Sequence, residues 1–146
     1  MLRKFLGFHK KIQIDWSYPK EYKSLLNSRD NSLDNWGLYQ IILLDRHGVE
    51  HLIYIGKAFN NFRSRLKSHL HKFSSYEGIL KVRLGSIINT SMNDIQLQDV
   101  EKAIILYTNP LRNSKATYSY NSTDEYLIES FGSRGFVPQL IDTKNL

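Results

Sequence analysis

The chain has 146 residues, 41% hydrophobic and 23% charged, a size and balance that fit one folded unit with its own core. It contains no cysteine, which excludes disulfides, Cys-ligated zinc and thiol catalysis. With 20 Lys and Arg against 14 Asp and Glu, the formal net charge is +6. Such an excess favours polyanionic partners, because each neutralised phosphate releases condensed counterions, although charge kept for solubility gives the same count.

The opening stretch MLRKFLGFHKKIQIDW carries charge but no apolar run of membrane-spanning length, so a cytoplasmic protein with no membrane partner is expected. Residues 1–35 read as an appended leader. They comprise a basic start, a Trp16-Ser17-Tyr18-Pro19 stretch, a short helical pattern at Tyr22, Leu25 and Leu26, and the polar loop SRDNSLDN. In GLYQIILLDRHGVEHLIYIG, two runs rich in Ile, Leu and Tyr flank the turn formers Asp45, Arg46, His47 and Gly48, which predicts a β-hairpin. Symmetric pairing about that turn sets Tyr39 directly across from Tyr54 on one face, unless a bulge breaks the register.

In KAFNNFRSRLKSHLHKF, the residues Phe59, Phe62, Leu66, Leu70 and Phe73 recur at helical spacing as one apolar stripe. Arg65, His69 and Lys72 share one flank of that stripe, and Arg63 and Lys67 take the other. GILKVRLGSII reads as a third strand. NDIQLQDVEKAIILYT reads as a second helix, N-capped by Asn93 and ended before Pro110. Residues 114–146 form an extension with one strand-like or helical segment, EYLIESF, followed by the glycine-bracketed loop GSRGFVP. No repeat or linker divides the chain, so residues 1–146 are expected to be a single domain.

Three groups of residues carry possible chemistry. Facing tyrosines on strands are most often packing. Arg65 and His69, four apart on a helix, form either a solvated basic edge or a phosphate-binding guanidinium beside an imidazole. Glu101 has Leu97, Ile104 and Ile105 as helical neighbours, and a carboxylate in that setting needs a metal or a cation. An ordinary pairing with Lys102 or a nearby arginine is the alternative. None of the five histidines lies in an HExxH motif, His47 and His51 are four apart only across the predicted hairpin turn, and no GxGxxG, GxxxxGK[ST] or GxSxG motif is present.

Taken in order, GLY at 37–39, YIG at 54–56, RLKSH at 65–69 and EKAIILYTNPLRN at 101–113 resemble the GIY-YIG nuclease family, closest to its compact restriction-like branch. The resemblance covers residues 36–113, with Leu38 in place of the usual isoleucine and a long spacer between the tripeptides. It implies an α+β fold with a small mixed or antiparallel three-stranded sheet flanked by helices. It also implies a catalytic set of Tyr39, Tyr54, Arg65, His69, Glu101 and Asn113. Glu101 would hold magnesium, or another divalent cation such as manganese, while Lys57, Arg63 and Lys72 would bind substrate. Tyr39 would be the general base with Tyr54 assisting, and Arg65 would stabilise the phosphate. The expected partner is DNA, with RNA as a further possibility, and the expected assembly is a monomer or homodimer. A non-cleaving nucleic-acid-binding module on the same scaffold is the alternative. Lys10, Lys11 and Arg134 are candidate DNA contacts outside the core.

Overall fold

The computed structural model describes residues 10–113, 120, 122 and 124–146. The first nine residues of the expected leader, His9 among them, and part of the extension after residue 113 lie outside the described residues. The fold is α+β, as expected, but its sheet has seven strands rather than three. In chain order these are β1 (Lys10–Trp16), β2 (Lys20–Glu21), β3 (Gly37–Leu44), β4 (Glu50–Ala58), β5 (Ile79–Ile87), β6 (Tyr126–Gly132) and β7 (Leu140–Asp142). Three α-helices join them: α1 (Tyr22–Leu26), α2 (Phe62–His69) and α3 (Asp94–Thr108). The strands run β4-β3-β5-β1-β6-β7 across the sheet, with β2 pairing beside β5. Among the described residues only the β1–β6 pair is parallel, so the sheet is mixed.

Strand β3 lies between β4 and β5, and nearly all of its residues are buried. That double coverage explains why GLYQIILL is a near-continuous apolar run instead of an alternating one. On one face Tyr39, Ile41 and Leu43 pack with Tyr22 and Leu25 of α1 and Phe62 and Leu66 of α2. On the other, Leu38 and Ile42 pack with Leu97, Val100 and Ile104 of α3.

The extra strands come from the two flanks. Lys10–Trp16, expected in a leader, is an interior strand between β5 and β6. Its alternation buries Ile12, Ile14 and Trp16 in the α3-side core, and Trp16 Nε1 donates to the Ser130 hydroxyl of β6 at 3.1 Å. The EYLIESF segment is strand β6, not a helix. The loop after it is fastened to the sheet: the Gln40 amide donates to the Arg134 carbonyl, and Arg83 Nε donates to the Ser133 hydroxyl. Gly135, at φ +59°, sits where a side chain would strike the Arg83 guanidinium. No helix among the described residues is long and apolar enough to cross a membrane.

An interior β1 has a measurable consequence. Ile14→Ala should lower unfolding stability by about 2–5 kcal/mol in urea denaturation, the usual cost of emptying a packed core position. A loss under about 0.5 kcal/mol would mean that β1 does not close the core.

Candidate active site

The hairpin departs from symmetric pairing. Tyr39 pairs with Gly56 and Ile41 with Tyr54, after which the register shifts so that Ile42 pairs with Leu52. Ile53 is therefore an extra residue, a bulge on β4, and the expected placement of Tyr39 directly across from Tyr54 does not hold. The two tyrosines still share a face, as diagonal neighbours with ring centroids 6.2 Å apart. Gly56 makes this possible. A Cβ there would land on the Tyr39 hydroxyl end and lie 2.8 Å from Tyr54 Cε2. The Tyr39 ring thus crosses its own pairing partner, and only a residue without a side chain leaves it room.

Helix α2 begins at Phe62, where the Asn61 side chain caps it by accepting from the Ser64 backbone N–H at 2.8 Å. Phe59 therefore precedes the helix and is exposed, contrary to its expected place in the apolar stripe. Beyond His69 the helix tightens into a 3-10 turn, Leu70–Phe73, which buries Phe73 against the Tyr54 ring at 5.6 Å. Tyr22 fixes α2 from below by donating to the Leu66 carbonyl at 2.6 Å.

Arg65 is the electrostatic centre of this face. Its charge acts on the hydroxyls of Tyr22, Tyr39 and Tyr54, on His69 and on Glu101, and its Nε is buried with no hydrogen-bond partner. Burial pushes the Tyr39 hydroxyl well above its ordinary value, Tyr54 adds to the rise, and Arg65 opposes it. Tyr54, only partly buried, is raised by desolvation and by Glu101 and lowered by Arg65. His69 Nδ1 lies 3.4 Å from the Tyr39 hydroxyl. Desolvation, then the charges of Arg65, Lys72 and His71, lower its imidazole from 6.5 to about 4. It is neutral at physiological pH, and becomes a competent proton acceptor only where a bound anion offsets the charges that lower it.

Glu101 comes from α3, whose start is set by a full capping box between Asn93 and Gln96. Leu97, Ile104 and Ile105 around it are buried, as the sequence suggested. No hydrogen bond or ion pair reaches the Glu101 carboxylate among the described residues. Desolvation raises it from 4.5 to about 7, against the lowering influence of Lys57 and Arg65. Among the described residues no three potential metal-binding side chains gather at one point, so a metal on Glu101 would draw most of its shell from outside the protein. A lone hard oxygen donor, short of compensating charge, fits magnesium, which keeps most of its shell for water and phosphate.

The other expected site residues separate into two groups. Lys57 stands near Glu101 but is bound to Asp94 at 2.6 Å. Lys72 is exposed near His69. The Asn113 amide is occupied with both backbone groups of Ile55, at 2.9 and 3.0 Å, and so clamps the edge strand that carries Tyr54. Arg63 points away, toward the carbonyls of Ser28 and Asp30. Outside the core, Lys10 pairs with Asp124 and Lys11 with Glu129, while Arg134 donates to the Val137 carbonyl. Two contributors escaped the sequence reading. Gly56 was visible only as part of a tripeptide, and Tyr22 was assigned to the leader. Comparison of the chain with protein-family models, curated proteins and solved structures finds no match.

The raised Glu101 makes a signed prediction. In the folded state it holds its proton to about 7, whereas the unfolded chain releases it near 4.5, so ionisation destabilises the fold as pH rises through that window. Glu101→Gln should therefore match the parent near pH 4 and exceed it by about 1–3 kcal/mol at pH 8 in paired urea titrations. His69 acts oppositely: the unfolded chain protonates first, and stability falls as pH drops from 6.5 toward 4.

Proposed function

We propose that this protein is a divalent-metal-dependent endonuclease of the GIY-YIG type that hydrolyses DNA phosphodiester bonds. The observation that carries the reading is Glu101: a desolvated carboxylate without a partner among the described residues, within the electrostatic reach of a half-buried arginine and the Tyr54 hydroxyl. A structural acid in that position would be expected to have a salt bridge. A site for a phosphate and its metal needs an uncommitted carboxylate near a guanidinium, and Arg65, engaged with the Tyr39 and Tyr54 hydroxyls, keeps its Nε unpartnered.

Each residue then has a distinct task. Glu101 would hold the divalent cation, magnesium or manganese, which supplies charge neutralisation at the phosphate oxygens. Arg65 would stabilise the charge that builds on the phosphorane. A buried phenol is a weak acid, so Tyr39 can act as a base only by passing its own proton onward. The neutral His69 Nδ1 is the acceptor within reach. Tyr39 takes a proton from the attacking water as its hydroxyl proton moves to His69, and Tyr54 holds that water. Asn113 positions β4, and Lys57 and Lys72 would meet the flanking phosphates. One such site cuts one strand, so a monomer nicks and a homodimer can cut both strands.

The non-cleaving alternative is separated by the same assay. Plasmid incubated with magnesium should be cut by the parent protein and left intact by Glu101→Ala. Tyr39→Phe should bind DNA as tightly as the parent yet cleave about 10²- to 10⁴-fold more slowly. If parent and Glu101→Ala both bind plasmid and leave it uncut, the protein is a binding module. If Tyr39→Phe cuts at the parental rate, Tyr39 is not in the base relay.

A further inference from the structure

Beside Arg65 opens a polar cleft of about 360 Å³ between the end of β4, the start of α2 and the start of α3. Arg65 lines it with Asn60, Ser64 and the Lys57–Asp94 ion pair, and Phe59 stands among them. The Asn60 amide and the Ser64 hydroxyl make no hydrogen bond to the described residues, so both are available to a ligand. Phe59 is 44% exposed although it belongs to an apolar-rich segment, and the fold has turned it out of the core by capping α2 at Asn61. The cleft thus combines the Arg65 cation, uncommitted neutral hydrogen-bonding groups and an aromatic ring, with Lys57 neutralised by Asp94.

We propose that this cleft is a nucleobase subsite, in which Phe59 stacks on the base next to the phosphate held by Arg65. The inference rests on the nuclease reading and adds to it a contact with a base. A phosphate alone would be served by Arg65 and would gain nothing from an exposed phenylalanine. A purely apolar ligand would leave Asn60 and Ser64 without partners. A nucleotide satisfies both requirements: its phosphate meets Arg65, its base edge meets Asn60 and Ser64, and its flat face meets the ring. Stacking on an aromatic side chain tolerates any base, so this subsite would fix the position of the strand more than its sequence.

The test uses duplexes with 2-aminopurine on either side of a mapped cleavage position, bound by the full chain in EDTA so that no cutting occurs. The parent protein and Phe59→Tyr should change the fluorescence of one probe. Phe59→Ala should abolish that change and weaken binding about 5- to 100-fold, with an unaltered melting temperature because the ring is exposed. Phe59→Ala binding within twofold of the parent, with the same fluorescence change, overturns the subsite while leaving the nuclease reading intact. A parent protein that neither binds nor cuts DNA overturns the nuclease reading, and the subsite with it.

Discussion

The Arg65 guanidinium lies among two tyrosine hydroxyls, a neutral histidine and a carboxylate, with its Nε buried and unpartnered. A charge in that position is costly to bury, and most of the surrounding architecture serves to hold it there. Asn61 starts α2 at the residue that aims Arg65 inward, Tyr22 ties the same helix turn through the Leu66 carbonyl, and Gly56 vacates the space for Tyr39. Each is a packing or capping contact whose consequence is electrostatic. Arg65 opposes the rise in the tyrosines and in Glu101, and it helps keep His69 unprotonated.

The two helices approach from opposite faces of the β3–β4 ribbon, and this separates their work. Helix α2 packs with the face that carries Tyr39, whereas α3 packs with the face that carries Leu38 and Ile42. The charge of Arg65 nonetheless reaches Glu101, and β4 is the edge strand of the sheet beside both helices. That edge is closed by residues 111–113, through backbone bonds from Leu111 and Arg112 to Leu52 and Ile53 and through the Asn113 amide on Ile55. Asn113 thus acts through the strand it clamps, and its side chain is already committed.

Much of this was legible in the sequence where one local pattern dominates. Asn93, the apolar period of α3 and Pro110 delimit that helix well, and the Ile-rich runs around Asp45–Gly48 announce the hairpin. Glu101 stood out because its helical neighbours are apolar, and they are buried. What the sequence hid depends on distant partners. The β1 segment offers only three alternating apolar residues beside a basic start, and its place in the sheet is created by β5 and by the parallel β6, more than a hundred residues away. The bulge at Ile53 leaves no local mark, because Leu52, Ile53 and Tyr54 are all acceptable strand residues. Phe59 fits the helical period as well as Phe62 does, and only the cap at Asn61 separates them.

The account depends on Glu101 being a carboxylate held short of charge in a place where a cation would complete it. The most direct measurement is a carbon-detected NMR titration of the Glu101 side-chain carboxyl, without and with magnesium. The account predicts a midpoint near 7 in the free protein, shifted downward by magnesium as the cation favours the ionised form. A midpoint near the ordinary 4.5, unmoved by magnesium, would contradict it.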